Sequence, residues 1–334
     1  MSERVLQAVG LRLHGNTEGW ALLLVGLAIG WLVLPTYWLG ELTLMFVYVV
    51  AVLGTDLLVG RAGILSLCQA SFIGVGAYVA AVGATDGLFV LWQVVLAVVM
   101  CVVFGVVLAI PALRMSGMRL AIVTLLFGTV FSWAIDMTTG TTGGAEGMSV
   151  PPLQVGPVNS LDPHGWYVTA AVIAVGATIF VWQLSRGQWG RRLVAVRDSE
   201  LAARSVGVNV LSTKIGVVVV GACFCGVAGV VYAYTEGFVT PSSFDTFPSA
   251  YLLVGVLLGG AGTLSGAWLG AAYITLVPDV FALLGIPNLY ALLGGFVLVI
   301  VTLMVPGGLT SVIVAAPRAL RRVREYGSRP VVRS

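Results

Sequence analysis

Length, composition and charge exclude a soluble domain. The chain has 334 residues, of which 59% are apolar and only 9% are charged, and its mean hydropathy is +1.03. Soluble domains carry about 25% charged residues, so this composition is typical of a protein that crosses a membrane many times. The net charge of +3 reflects arginine in the loops of such a protein and is not a signal for nucleic-acid binding.

The apolar runs predict an all-α membrane protein with about ten spans, because a helix needs about 20 apolar residues to cross the hydrocarbon layer. The predicted spans are 20–39, 41–59, 65–84, 88–111, 119–136, 165–185, 212–234, 248–261, 264–283 and 289–305. The span at 248–261 is short for a full crossing, so we expect it to be broken, tilted or only part-way across.

The basic residues orient these spans. All 17 Lys and Arg residues fall in the terminal segments or in every second loop, and the remaining loops carry only acids. Those acids are Asp86, Glu146, Asp162, Glu236 and Asp245. The positive-inside rule then predicts that both termini are cytoplasmic. The expected organisation is a cytoplasmic segment 1–19, a membrane domain 20–309 and a basic cytoplasmic tail 310–334. The membrane domain includes an external loop 137–165 and a cytoplasmic loop 185–213.

The sequence contains none of the usual enzyme or metal motifs. Lys214 is the only lysine and follows Thr213, so the chain has no phosphate-binding loop of the G-x-x-x-x-G-K-[ST] type. The four cysteines and two histidines show no metal-ligand spacing. We therefore expect neither catalysis nor a metal nor a bound cofactor on this chain.

Polar residues inside predicted spans are candidates for a substrate path, because such groups are costly in a bilayer unless they are paired or hydrated. Asp56 lies near the end of the second span, five residues before Arg61, and either a structural ion pair or a place on the path explains it. Ser66, Gln69 and Ser71 give the third span a polar start. Path lining and hydrogen bonding between helices are equally good explanations for these three residues.

Glycines spaced four apart predict close helix packing in the last third of the chain, with a moving or dimerising face as the alternative. They are Gly255, Gly259, Gly262, Gly266 and Gly270. The segment 259–265 also repeats the segment 60–66, because GGAGTLS and GRAGILS agree at five of seven positions. Internal repeats are common in transporters.

The cytoplasmic loop contains the strongest signal in the chain. Residues 191–206 lack Gly and Pro and are rich in good helix formers, which predicts one helix of about four turns that ends at Gly207. Its order E-x-A-A-x-x-x-G runs from Glu200 through Ala202 and Ala203 to Gly207. Small residues would seat such a helix in a groove of a partner. The alternative is an amphipathic helix on the inner leaflet.

This element and several others resemble those of ABC importer permeases, and specifically of branched-chain amino acid permeases of the LivM type. The similarity extends from about Trp20 to Leu309. The matching stretches are 57–67, 70–78, 113–114, 120–125, 142–147, 190–200, 207–210, 259–266 and 306–309. The resemblance implies a multi-pass permease in the inner membrane of a prokaryote. It also implies an ATPase-coupling set made of Arg191, Arg192, Arg197, Asp198, Glu200, Ala202, Ala203 and Gly207.

The same resemblance implies four kinds of partner. These are a LivH-type permease in a heterodimer, two ATPases that bind ATP and Mg, an external solute-binding protein and the lipid bilayer. Three positions depart from the family pattern, since Asp56 stands where Asn is usual, Gln69 where His is frequent and Tyr251 where an acid is common. The same architecture carrying urea, a short amide or a sugar therefore stays open. A secondary transporter is the remaining alternative, although only Asp56 resembles the buried carboxylates that it would need.

Overall fold

The computed structural model describes residues 35–112, 118–155, 158–283, 285 and 308–310. The segment 1–19, most of the predicted span 20–39, the whole span 289–305 and nearly all of the tail 310–334 lie outside these residues.

The described part of the chain is mainly helical. In chain order the helices are α1 Thr36–Asp56, α2 Gln69–Thr85, α3 Val90–Ala112, α4 Met118–Met137, α5 Thr139–Thr142, α6 Pro163–Arg186, α7 Gln188–Asp198, α8 Glu200–Ser205, α9 Val210–Glu236, α10 Thr246–Gly259 and α11 Leu264–Leu283. A π-helical turn, Leu57–Arg61, extends α1, and 3-10 turns occupy Gly144–Glu146 and Pro241–Phe244. The short strands are β1 Met148–Ser149, β2 Gln154–Val155, β3 Val158–Asn159 and β4 Phe238–Val239.

Six of these helices are long and apolar enough to cross a membrane in the part of the chain that the structure describes: α1, α3, α4, α6, α9 and α11. Helices α2 and α10 are shorter. Each predicted span between 41 and 283 coincides with one of these eight helices. The total of ten spans and the cytoplasmic position of the termini stay predictions.

The predicted boundary between the first two spans is wrong. We expected a turn between 39 and 41, but α1 begins at Thr36 and passes through Gly40 without interruption. Pro35 precedes the helix in an extended conformation, and a proline interrupts a helix far more strongly than a glycine does.

Helix α9 is the central helix, and glycines allow its neighbours to approach it closely. A Cβ atom on Gly54 of α1 would lie 2.8 Å from the carbonyl oxygen of Gly221. On α2, a Cβ atom on Gly76 would clash with the backbone of Gly226. Association in lipid depends on such close van der Waals packing, because burial from water contributes little between helices there.

Helices α10 and α11 pack through the predicted glycines, with one exception. Gly255 lies against Gly270, and Gly259 lies against Gly266, so closely that a Cβ atom on Gly270 or on Gly259 would clash with the facing backbone. Gly262 instead lies in the turn between the helices with φ +83°. Its expected role in helix packing is therefore corrected to that of a turn residue.

Helix α2 starts later than the predicted span 65–84. Its first residue lies level with the middle of α9, at about half the depth of the helix bundle. The Gln69 Oε1 atom accepts a hydrogen bond from Cys225 Sγ at 3.2 Å, and the Ala70 N–H group donates to Ser249 Oγ at 3.1 Å. At 1.5 Å per residue, Cys225 is about 22 Å from the start of α9 and about 16 Å from its end. Residues 63–68 reach this depth without helical structure.

Short strands join two loops at one end of the structure. Strand β1 pairs antiparallel with β4, with Met148 opposite Val239, and β2 pairs with β3 in a hairpin. The predicted external loop 137–165 and the connection 235–247 thus form one surface, which we call the acidic end. The opposite end, which carries Arg61, Arg197 and Lys214, is called the basic end.

Candidate functional site

A buried carboxylate lies at the centre of the basic end. Asp56 ends α1 with its side chain only 2% exposed. Its Oδ1 atom accepts a hydrogen bond from the Gly262 N–H group at 2.6 Å, and its Oδ2 atom accepts one from Arg61 Nε at 3.3 Å. Gly60 leaves the necessary space, because a Cβ atom there would clash with both Asp56 and the Gly262 nitrogen. Asp56 therefore ties the turn after α1 to the turn between α10 and α11.

These two turns are the two copies of the internal repeat. Gly63 and Gly262 occupy the same repeat position, and both have left-handed backbones, with φ +68° and +83°. The helices that follow differ, since α11 begins at Leu264 whereas α2 begins only at Gln69. The repeat thus describes the turns and not the helices beyond them.

Arg197 connects the coupling segment, which we define as residues 188–208, to the first of these turns. Its guanidinium donates a hydrogen bond to the Gly60 carbonyl oxygen. Its Cγ atom would lie 3.1 Å from a Cβ atom on Gly63. Arg197 was predicted to bind an ATPase, but its contacts here are with the membrane domain.

The coupling segment consists of two helices and not of the single predicted helix 191–206. Ser199 has extended backbone angles and separates α7 from α8, and its Oγ atom accepts a hydrogen bond from Ala202 N–H at 3.3 Å. This is the geometry of a helix N-cap. At the other end, Gly207 has φ +81° and donates to Arg204 O, while Val208 N–H donates to Ala203 O, both at 3.0 Å. This pair of bonds is a Schellman cap.

Two residues predicted to contact a partner instead bind within the chain. Ala203 is 1% exposed and packs with Val196 and Val210 in a small apolar cluster. Glu200 Oε1 pairs with Lys214 Nζ at 2.5 Å, which fastens α8 to the first turns of α9. A bulky substitution such as Ala203→Trp would therefore disrupt the segment itself and would not report on a partner. Arg191, Arg192, Asp198 and Ala202 are exposed.

The most exposed apolar side chains of this segment were missed by sequence reasoning. Leu201 is 80% exposed and Val206 is 74% exposed, and they flank the exposed Ala202 at the tip of α8. Large apolar residues at the tip of a basic loop are a signal of a docking surface. Leu201 and Val206 stand within the predicted cytoplasmic helix, where the alanines and charged residues alone were interpreted as contact positions.

Three of the four proposed path residues are engaged in structural bonds. Besides Asp56, these are Gln69 and Ser66, since Gln69 Nε2 donates to Ser66 Oγ at 3.1 Å while its Oε1 atom binds Cys225 on α9. This arrangement favours hydrogen bonding between helices as the role of the pair. Ser71 is fully buried, and its hydroxyl has no hydrogen-bond partner among the residues that the structure describes. In that same part of the chain, no cluster of three His, Cys, Asp or Glu residues could hold a metal.

Comparison with known proteins gives consistent relationships. Residues 37–302 match the family described as branched-chain amino acid transport system / permease component. The high-affinity branched-chain amino acid transport system permease protein LivM of Escherichia coli (strain K12) is 32% identical over 246 residues, which are 66% of this chain and 58% of LivM. LivM of Salmonella typhimurium is 32% identical over 248 residues, with the same coverage.

A second group of relatives is named for a different solute. The autoinducer 2 import system permease protein LsrC of Klebsiella pneumoniae is 33% identical over 238 residues, which are 67% of each chain. The matched region spans 58% of the length of the LivM relatives. No solved structure matches the chain.

The Asp56 network predicts an order of stabilities. Asp56→Ala removes the acceptor for both Gly262 N–H and Arg61, so it should destabilise the permease by about 3 kcal/mol. Asp56→Asn keeps an acceptor oxygen for Gly262 and should cost less. Adding Arg61→Ala to Asp56→Ala should restore part of the loss, because no partly buried guanidinium then lacks its counter-ion.

The midpoint of thermal unfolding in detergent, followed by size-exclusion chromatography, measures these effects. Thr43→Val is the matched control, since this buried hydroxyl bonds only the Leu39 carbonyl of its own helix. An Asp56→Ala protein as stable as wild type would show that the network does not hold the basic end together.

Proposed function

The chain belongs to the branched-chain amino acid transport system permease family, and on this premise we propose that it is the membrane subunit of an ABC importer for branched-chain amino acids in the inner membrane of a prokaryote. The observation that carries the proposal is the coupling segment. It exposes an apolar tip at the basic end and is bonded to the turn that ends a membrane-spanning helix.

The contacts of this segment suit the transmission of force. Leu201, Ala202 and Val206 form the exposed tip, and the cluster around Ala203 holds α7, α8 and the start of α9 together. Arg197 then binds the turn after α1, and Glu200 binds α9 through Lys214. A displacement of the tip by a partner therefore reaches two membrane helices directly.

The proposed assembly supplies the ATP-binding subunits, a second permease and a solute-binding protein. ATP and Mg bind to two ATPase subunits that receive the tip of α8 in a surface groove. A LivH-type permease completes a heterodimer in the bilayer. Helix α3 offers a broad apolar face for lipid or for this second permease, with exposed Leu91, Trp92 and Val99. An external binding protein delivers the solute at the acidic end.

A second candidate function is import of a sugar-like solute by the same architecture. The similarity to LsrC, named as an autoinducer 2 import permease, favours it at 33% identity. The two candidates share the coupling mechanism and differ only in the solute.

Reconstituted transport tests both candidates. Proteoliposomes that contain the heterodimer and the ATPases should take up radiolabelled leucine when ATP is on the ATPase side and the binding protein is on the other. Unlabelled valine should compete, and ribose should not. Competition by ribose alone would favour the sugar-like solute. Uptake by this polypeptide by itself, driven by a proton or sodium gradient, would contradict the ABC mechanism.

The tip of the coupling segment should determine ATPase binding. Leu201→Glu replaces an apolar side chain of the proposed contact with a charged one. It should weaken binding of the ATPase about tenfold or more, because burial of one leucine contributes about 2 kcal/mol. Val206→Glu should act similarly. Co-purification of the ATPase with detergent-solubilised permease gives the measurement.

The control for this experiment is a leucine-to-glutamate substitution at the acidic end. Leu161→Glu changes a 62% exposed leucine between β3 and α6 and should leave ATPase binding unchanged. If the segment lay on the inner leaflet instead, loss of Arg191 or Arg192 would weaken membrane association, and Leu201→Glu would leave the ATPase bound.

The acidic end offers a docking surface for the binding protein. Asp162 and Asp245 are already used as helix N-caps, because Asp162 accepts from Gly165 N–H at 3.1 Å and Asp245 accepts from Thr246 N–H at 2.8 Å. Glu146 and Glu236 are exposed beside the paired strands β1 and β4. We assign the docking contacts to these two glutamates and to Lys or Arg residues of the binding protein.

Glu146→Lys should therefore slow association of the binding protein several-fold at low salt, and added salt should reduce the difference. Asp86→Lys makes the same charge change on an exposed residue in the turn between α2 and α3 and should have a smaller effect. Surface plasmon resonance with the permease in nanodiscs measures both rates. Association rates of Glu146→Lys that equal wild type at every salt concentration would exclude Glu146 from docking.

A further inference from the structure

Three buried hydroxyl groups lie on facing helices without hydrogen-bond partners among the described residues. They belong to Ser71 and Tyr78 on α2 and to Ser132 on α4. Ser71 and Tyr78 are 0% and 4% exposed, and their spacing of seven residues places them on one face of α2. We call the region lined by these residues and by Gly128 of α4 the α2–α4 seam.

Buried threonine hydroxyls of the membrane helices are satisfied locally. Those of Thr43, Thr55, Thr178 and Thr275 donate to the carbonyl oxygen four residues earlier at 2.7 to 3.0 Å. A serine on a helix can form the same bond, yet Ser132 does not form it with Gly128. Buried polar groups without partners are rare and are costly in a membrane. Among the described residues, four buried side-chain oxygen atoms lack a partner, and three of them lie in the seam, the fourth being Asp279 Oδ2 on α11. This concentration indicates that the seam has a role other than packing.

The seam begins at the N-terminus of α2, which lies at mid-depth. Ser71 is the third residue of this helix. The nearest atom to a Cβ built on Gly128 is the Ser71 hydroxyl oxygen at 3.3 Å, so the hydroxyl faces α4. One turn earlier on α4, Thr124 Oγ1 accepts the Leu67 N–H group at 3.0 Å. The positive end of a helix dipole and a free hydroxyl are thus brought together.

Aromatic side chains close the seam above Ser71. A Cβ atom on Gly74 would lie 2.6 Å from the Phe131 ring and 2.9 Å from the Phe244 ring. Phe244 also packs edge-on against Tyr78, with ring centroids 6.2 Å apart. Helix α4 lies at the periphery of the bundle. Only 22% of an 18-residue apolar stretch of this helix is buried, compared with 72% for α1. Separation of α4 from α2 would expose these hydroxyls.

We infer that the α2–α4 seam is a binding site for the zwitterionic end of an amino acid during its passage, an inference that rests on the proposed function. The N-terminus of α2 and the Ser71 hydroxyl bind the carboxylate. The Ser132 and Tyr78 hydroxyl oxygens accept hydrogen bonds from the ammonium group. Phe131 and Phe244 lie beside the apolar side chain of the solute. None of these residues is charged, which suits a solute without net charge.

Single-oxygen deletions test this site in the complete reconstituted transporter. Ser71→Ala, Tyr78→Phe and Ser132→Ala each remove one hydroxyl and no packing carbon. We expect KM for radiolabelled leucine to rise about tenfold for Ser71→Ala, because it loses a hydrogen bond to a charged group, and less for the other two. Thr43→Val and Thr275→Val are matched controls, and their KM should equal that of wild type. Co-purification of all subunits reports assembly for every variant.

The possible outcomes separate this inference from the proposed function. Wild-type KM for leucine in all three variants, with normal transport, overturns the seam as a binding site and leaves the importer function standing. Lower yield or stability at an unchanged KM assigns the hydroxyls a structural role and also overturns it. A wild-type complex that takes up no leucine with ATP overturns the amino-acid function and the site together.

Discussion

The structure of the basic end depends on the interactions of the buried Asp56 carboxylate with Gly262 and Arg61. A carboxylate in this position is costly unless hydrogen bonds and a counter-ion replace its hydration. Its partners come from two turns, and one of them, Gly262, lies 206 residues after Asp56 in the chain. The Gly262 N–H group reaches Asp56 only because Gly60 has no side chain. The ends of α1, α10 and α11 are therefore held as one unit by an electrostatic requirement and not by apolar packing alone.

This unit is also where the coupling segment binds. Arg197 donates to Gly60 O within the turn that Asp56 stabilises, while Glu200 fastens α8 to α9. The alanine at position 203 is small because it lies in the cluster with Val196 and Val210. In the proposed assembly the ATPase contacts Leu201, Ala202 and Val206, while Arg197 and Glu200 bond within the chain.

Hydropathy was sufficient to predict the eight apolar helices between residues 36 and 283, because the cost of polar groups in lipid leaves a strong signal in the sequence. Hydropathy placed the first turn wrongly, at Gly40. Helix α1 in fact begins at Thr36, directly after Pro35, and continues through Gly40. The break at Ser199 was hidden within a run of good helix formers, although a serine before Glu200 is a typical N-cap. The ion pair of Asp56 with Arg61 was one of two predicted alternatives. The inward orientation of Ala203 and the hydrogen bond to Gly262 depend on tertiary contacts, which local sequence does not encode.

The residues between Arg61 and Gln69, which are non-helical from Gly63 onward, lie between the coupling segment and the proposed binding site. Irregular backbone at membrane depth is tolerated only where protein or a water-filled cavity surrounds it, and alternate residues of this stretch are buried: Ala62, Ile64, Ser66 and Cys68. One end of the stretch contacts Arg197 through Gly63, and the other end binds Thr124 of α4 through the Leu67 N–H group. This stretch therefore joins the site of the Arg197 contact to α4 without an intervening helix. In the proposed mechanism, a movement of the coupling segment acts through this stretch on the distance between α2 and α4.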